Sequence, residues 1–317
     1  MSELPAKNPA ILLCGHGSRD VDAVTEFEAL AGHISRQLPE RTVMHGFLEF
    51  ARPTISERLD DLRGGGVNDI LAVPGMLFAA GHAKNDIPSV LNNYAAKHDG
   101  FEIRYGRELA VDLKLLEAAR ERIAAAETEA GDSISRADTM LVVVGRGTND
   151  PDANSNVSKV ARMLWEGMGF GWTETCYSGV TQPLVADALE RVVRLGFRRI
   201  IVFPYFLFTG ILVKRIYAAA DALADAHPEV EVVKASYLND HPLVIDTFLE
   251  RLAEIPNGDN LMNCQLCKYR EQIIGYEKDQ GAAQVGHHHH VEGIGTDADH
   301  GHSHDHGHQH HGPDDDT

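Results

Sequence analysis

The chain states nearly the same pattern twice, at a fixed offset of 130 residues. Gly15-His16-Gly17-Ser18-Arg19-Asp20 returns as Gly145-Arg146-Gly147-Thr148-Asn149-Asp150. The register then holds without a gap: Pro53 matches Pro183, Gly66 matches Gly196, Pro74 matches Pro204, Leu77-Phe78 match Leu207-Phe208, and Lys84 matches Lys214. A shared frame of this length means two copies of one structural unit, so whatever fold serves the first half must also serve the second. The copies differ where chemistry is at stake. His16, Glu49 and His82, each able to hold a metal, face Arg146, Gly179 and Leu212 in the second copy. One half carries a site, and the other reads as its remodelled partner.

Each copy alternates strand-like and helix-like stretches. Ala10 to Cys14, Asp69 to Pro74, Met140 to Val144 and Arg199 to Pro204 are short apolar runs of the kind buried on both faces of a parallel sheet. Between them lie amphipathic stretches of helical length: Val21 to Leu38, Thr54 to Leu62, Asp112 to Ala126, Asn156 to Met168, Leu184 to Leu195 and Val244 to Ile255. The expectation is an α/β fold of two similar domains, residues 1–130 and 131–257, each a parallel sheet flanked by helices. A C-x-x-C element over 258–285 and a disordered histidine-rich tail over 286–317 complete the plan.

Composition narrows the function. At 317 residues each half is large enough to bury its own core. The apolar run at Ala10 to Cys14 is too short for a signal peptide, and no stretch approaches the roughly 18 apolar residues of a membrane span. A soluble, cytoplasmic protein is expected. The net charge of −18 argues against nucleic acid or an anionic membrane as partner.

In parallel sheets of this kind ligands bind beyond the carboxyl ends of the strands. His16 directly follows the first strand, Glu49 closes the strand around Val43 to Leu48, and His82 lies in the loop after the third strand-like run. Each has a plainer reading alone: a histidine satisfied within a loop, or a Glu49 carboxylate paired with Arg52. All three at strand ends, and all replaced together in the second copy, point to one shared site. Two imidazoles and a carboxylate suit a borderline divalent metal such as Fe, Co, Ni or Zn, with positions left open for a substrate.

The segments CGHGSRD, FLEFARP and PGMLFAAGHAKNDIP resemble the sirohydrochlorin chelatases, in their long, internally duplicated cobalt form, over essentially residues 10 to 255. The resemblance implies that His16, Glu49 and His82 surround the metal and the centre of the macrocycle. It implies insertion of cobalt(II), as substrate metal, into sirohydrochlorin on the way to cobalamin; insertion of iron on the way to siroheme is the near alternative. Metal entry into a tetrapyrrole requires loss of two pyrrole N–H protons. His16 and His82 are therefore assigned as ligands and proton acceptors, with Glu49 as third ligand or orienting carboxylate. The macrocycle carries eight carboxylates, and Arg146, Lys214 and Arg215 of the second copy are the candidate cations for them; Arg146 could instead pair internally with Asp150 or Asp152.

Met262-Asn263-Cys264-Gln265-Leu266-Cys267 holds a thiol pair, and in long members of the resembled family a similar element is associated with an iron-sulfur cluster. Two thiolates do not complete a four-cysteine cluster, so Cys264 and Cys267 would need a second chain, as in a homodimer sharing the cluster, or Cys14 and Cys176. Zinc or an idle thiol pair are the other readings. Beyond Gly286 come His287, His288, His289, His290, His300, His302, His304, His306, His308, His310 and His311. These read as a loose store or delivery arm for cobalt, nickel or zinc. A non-enzymatic cobalt- or nickel-binding storage protein is the rival class, and it would require only that tail. The remaining histidines read as structural: His45 packed in a strand, His241 capping a helix, and His33, His98 and His227 solvated.

Overall fold

The computed structural model describes residues 9–131, 133–258, 261–262, 293 and 296. Each repeat forms a four-stranded, wholly parallel sheet. The first contains β1 (Ala10–Gly15), β2 (Val43–Phe47), β3 (Asp69–Pro74) and β4 (Glu102–Tyr105) in the order β2-β1-β3-β4. The second contains β5 (Thr139–Gly145), β6 (Trp172–Tyr177), β7 (Arg199–Pro204) and β8 (Glu231–Lys234) in the order β6-β5-β7-β8. Around the first sheet run α1 (Val21–Gln37), α2 (Ile55–Gly64), α3 (Ile87–Lys97) and α4 (Leu113–Ala130); around the second run α5 (Pro151–Met168), α6 (Val185–Val193), α7 (Ile211–Ala226) and α8 (Pro242–Glu254).

The inner strands are the apolar runs of the sequence. Along β1, Ile11 and Leu13 face one layer of helices while Leu12 and Cys14 face the other, all fully buried. Helix starts follow local chemistry. Asp20 and Asp150 cap α1 and α5 by accepting from Asp22 N and Asp152 N, and Thr54 forms a capping box with Glu57 at α2. His241 caps α8 through its Nδ1, which accepts from Leu243 N at 3.3 Å, as its sequence context suggested. Four elements had no clear sequence signal. β4 and β8 are four-residue edge strands, partly exposed and without an apolar run. Neither α3 nor α7 has a side-chain N-cap to announce its start.

The halves are fastened by exchange. The helix α4, which follows the first sheet, packs on α5 and β8 of the second, while α8 packs back on α1 and β3 of the first. One continuous core therefore runs through both halves and includes Leu115, Ile123, Phe248 and Leu252, each fully buried. Burying such side chains contributes about 1.5–3 kcal/mol apiece. At the seam, Arg251 on α8 is only 3% exposed and donates to Asp112 Oδ2 at 2.6 Å, to Glu254 Oε1 at 2.8 Å and to the Leu109 carbonyl at 2.9 Å.

A second exchange is ionic. Lys84 Nζ donates across to Asp150 Oδ2 at 2.8 Å and Asp152 Oδ2 at 3.1 Å. Its repeat equivalent, Lys214 Nζ, donates back to Asp20 Oδ2 at 2.7 Å and Asp22 Oδ2 at 2.9 Å. In the first triad Lys84 and Asp150 are buried and Asp152 is exposed; in the second only the Asp20 side chain is largely buried. Burial alone would pull the Lys84 ammonium down, but Asp150 and Asp152 outweigh it and hold the group above the ordinary lysine range.

Candidate metal centre

In the first sheet the chain leaves β1 toward β2 on one side and reaches β3 on the other, so the carboxyl ends of β1 and β3 flank a topological switch point. His16 follows β1, Glu49 follows β2 and His82 follows β3. Adjacent strands thus deliver the three side chains to one spot. Their ligand atoms lie within 4.8 Å of one another, and no other group of three such residues converges in this way among the described residues.

Backbone geometry locks the cluster. Glu49 N donates to the His16 carbonyl at 3.0 Å and Leu48 N to the Gly15 carbonyl at 2.9 Å, which zips the two loops together. Gly17 makes this approach feasible: it has φ +93°, and a Cβ there would sit 1.7 Å from the Glu49 carbonyl oxygen. His82 opens a π-helical turn, His82–Asp86, rather than lying in the preceding loop. That turn sets His82 and Asp86 on one face, with His82 Nδ1 and Asp86 Oδ2 2.8 Å apart.

Both imidazole tautomers follow from these contacts. Asp86, a carboxylate, accepts from Nδ1–H of His82, and the Gly17 carbonyl accepts from Nδ1–H of His16 at 2.9 Å. Both Nε2 atoms therefore present lone pairs to the same space. They are 3.1 Å apart, and His16 Nε2 is 3.1 Å from Glu49 Oε1. Two lone pairs and a carboxylate at such spacing repel unless a cation sits among them. A divalent ion with bonds of about 2.0–2.2 Å to nitrogen and oxygen fits this donor set.

The cluster lies at the side of a cleft of about 480 Å³ between the halves. Its walls are largely apolar, with Phe50, Leu77 and Phe78 from the first half and Phe208, Ile211 and Leu212 from the second. Arg146 projects into it. Its side chain is accessible from the cleft, yet the surrounding protein lowers its pKa by desolvation, against which the Glu49 carboxylate pulls upward. Arg146 makes no ion pair with Asp150 or Asp152, because Lys84 occupies both.

The other sequence candidates fall elsewhere. Lys214 is held by Asp20 and Asp22, and neither it nor exposed Arg215 lines the cleft; a macrocycle carboxylate would have to displace two carboxylates to reach Lys214. Cys14 and Cys176 are fully buried in β1 and β6, in separate sheets. Cys264, Cys267 and the histidines of the tail, His287 to His290 and His300 to His311, lie outside the described residues. Two features escaped sequence reasoning. Asp86 was visible only as part of a motif, and its role emerges from the i, i+4 spacing to His82. Arg19 and Phe50, which line the cleft, had no signal in the ligand pattern.

The CbiX family model matches residues 10–126 and again 140–255. A sirohydrochlorin cobaltochelatase of Priestia megaterium is 35% identical over 267 residues, 84% of this chain and 86% of that protein. A sirohydrochlorin ferrochelatase of the same organism is 30% identical over 233 residues, 73% of this chain and 85% of that protein. Among solved structures, the sirohydrochlorin chelatase SirB of Bacillus subtilis subspecies spizizenii in complex with cobalt superposes with a TM-score of 0.66 at 27% identity, covering 80% of this chain and 99% of SirB. SirB from Bacillus subtilis with Fe3+ gives 0.69 at 28% identity, with the same coverage. The family model spans both repeats, and the chain is a member of the CbiX family.

Proposed function

We propose that the protein inserts cobalt(II) into sirohydrochlorin, with His16, Glu49 and His82 as the residues that carry the metal to the macrocycle. The observation that carries this reading is the convergence of the two Nε2 atoms and the Glu49 carboxylate, at 3.1 Å from His16 Nε2 to each of the others, on the wall of an apolar cleft. The macrocycle, apolar on its ring faces and acidic at its rim, occupies the cleft, with its nitrogens facing the three donors. The metal passes from imidazole and carboxylate to pyrrole nitrogen as it sheds its remaining water. As the metal leaves, the same Nε2 and Oε1 atoms regain lone pairs and accept the two pyrrole protons, so ligand release and proton uptake are one exchange at one place. Asp86 and the Gly17 carbonyl hold each Nδ1–H and keep Nε2 aimed throughout. Arg146, contributed by the second half, faces the peripheral carboxylates.

The named relatives include a cobaltochelatase and a ferrochelatase, and this donor set holds either ion. Cobalt is preferred because the cobaltochelatase match has the higher identity and covers more of this chain. A storage protein would have no need of a large apolar cleft beside its ligands. With Cys14 and Cys176 buried in separate sheets, a cluster on Cys264 and Cys267 would take its other thiolates from a second chain. The test is an anaerobic absorbance time course with sirohydrochlorin and cobalt(II), iron(II) or nickel(II), against a no-enzyme control. Acceleration with cobalt supports the proposal, faster iron insertion redirects it to siroheme, and no acceleration with any metal removes it.

A further inference from the structure

The residue after Glu49 has an unusual backbone. Phe50 adopts φ +61°, and its repeat equivalent Val180 adopts φ +68°. Outside glycine, and above all for a β-branched valine, that region is strained by about 1–3 kcal/mol. Because both copies keep the conformation, it belongs to the loop itself. What differs is the side chain it displays. In the second copy Val180 points to solvent, 78% exposed. In the first, the Phe50 ring turns into the cleft, with its centroid 5.9 Å from that of His16. Arg19, replaced by Asn149 in the second copy, lays its guanidinium 4.8 Å from the centre of the Phe50 ring.

Arg19 makes no ion pair among the described residues, although the chain carries 47 acidic residues against 29 lysines and arginines. Arg146, the other arginine lining the cleft, likewise makes no salt bridge among the described residues, and Glu49 acts on it only at longer range. Two guanidiniums without a salt bridge among the described residues, one from each half, face one cavity in an acidic protein. The contact with Phe50 holds the Arg19 guanidinium over the ring face, where its N–H groups can still donate to a ligand.

We propose that Phe50 and Arg19 form a substrate-positioning unit in which the Phe50 ring packs against a pyrrole edge of the macrocycle and Arg19 binds a carboxylate on that edge. The succession of groups matches the ligand: metal donor, aromatic surface and cation stand in the order of macrocycle centre, pyrrole rim and peripheral acid. Arg146 then takes a carboxylate from the side of the second half. Two anchors on different halves set the in-plane orientation of a ring that is nearly symmetric about its centre. The unit rests on the proposed function, since it needs a polycarboxylate tetrapyrrole in the cleft.

The experiment measures sirohydrochlorin binding by fluorescence quenching, and insertion kinetics, for wild type, Arg19→Ala, Arg19→Lys, Phe50→Ala and the double variant. Loss of one charge-assisted contact raises the KM for sirohydrochlorin about ten-fold in Arg19→Ala. The expected result also includes kcat changed far less than KM, cobalt(II) affinity unchanged, and partial rescue by Arg19→Lys, which keeps the charge but not the planar stack. The double variant is less impaired than the product of the single effects, because Phe50 acts partly by holding Arg19. With the carboxylates of the macrocycle esterified, wild type and Arg19→Ala bind equally. If wild type binds sirohydrochlorin and Arg19→Ala binds it as tightly, the positioning unit is wrong and the function stands. If wild type binds no sirohydrochlorin, the function fails and takes the unit with it.

Discussion

Asp86→Asn isolates the electrostatic support of the metal donors. Asp86 is 2% exposed; Oδ2 accepts from His82 Nδ1–H at 2.8 Å and Oδ1 from Asn85 Nδ2 at 2.9 Å. An asparagine keeps the shape and one acceptor oxygen for His82. Its new NH2 would meet the Asn85 NH2, but Asn85 Oδ1 is buried without a partner, so a flip of the Asn85 amide restores a hydrogen bond. Packing is therefore preserved and the carboxylate charge is lost. Weakening the hydrogen-bond partner of a metal-ligating histidine costs about 10–100-fold in metal affinity or activity. The lower end, about ten-fold or 1.4 kcal/mol, is expected for Asn, and the upper end for Asp86→Ala, which leaves His82 Nδ1 unsupported. The assay is an anaerobic cobalt(II) titration in competition with a chelator, on protein lacking residues 286–317 so that tail imidazoles do not contribute. Cobalt affinity and turnover in Asp86→Asn within two-fold of wild type would refute the argument that the charge of this carboxylate strengthens His82 as a metal donor.

Other perturbations have definite outcomes. His82→Ala abolishes enzymatic insertion while circular dichroism and the thermal midpoint stay near wild type; undiminished turnover excludes His82 from the mechanism. Replacing Arg251 with Met leaves Asp112 without its buried partner and destabilises by about 3–5 kcal/mol, read as a lowered denaturant midpoint. Because the pKa of Lys84 is raised in the fold, its triad stabilises fully below about pH 10 and loses that contribution as pH rises through the folded-state value. Lys84→Met should flatten the alkaline limb of stability against pH, and an unchanged limb contradicts the assignment. Deleting residues 286–317 spares turnover at saturating cobalt; complete loss of activity would show that the tail belongs to the catalytic machinery.

The duplication carried most of the architecture, because buried parallel strands must be apolar on both faces and β1, β3, β5 and β7 advertise this in residue type alone. Edge strands β4 and β8 escape for the converse reason: with one face or edge in water they need no apolar run. The exchange of α4 and α8 was not legible either. An apolar helical face states that it is buried but not against which sheet, and only the structure assigns Phe248 and Leu252 to the common core. Within the site, the ligand trio was legible because each residue ends a strand and has lost its counterpart in the second copy. Lys214 seemed a substrate cation on the same logic, yet its counterpart Lys84 shows what both lysines do, which is to tie the halves together. Phe50 was hidden because a positive-φ backbone in a non-glycine residue leaves no mark in sequence, and Arg19 because its place follows from that of the Phe50 ring.

The most direct test of the central claim is a single-turnover transfer. Protein lacking residues 286–317 is loaded with one equivalent of cobalt(II), freed of excess metal, and mixed anaerobically with sirohydrochlorin while the macrocycle absorbance is followed. Wild type forms one equivalent of cobalt-sirohydrochlorin in one phase, and the His16→Ala/His82→Ala variant forms none above the uncatalysed rate. Equal transfer by that variant would contradict the assignment of the strand-end donors as the source of the inserted metal.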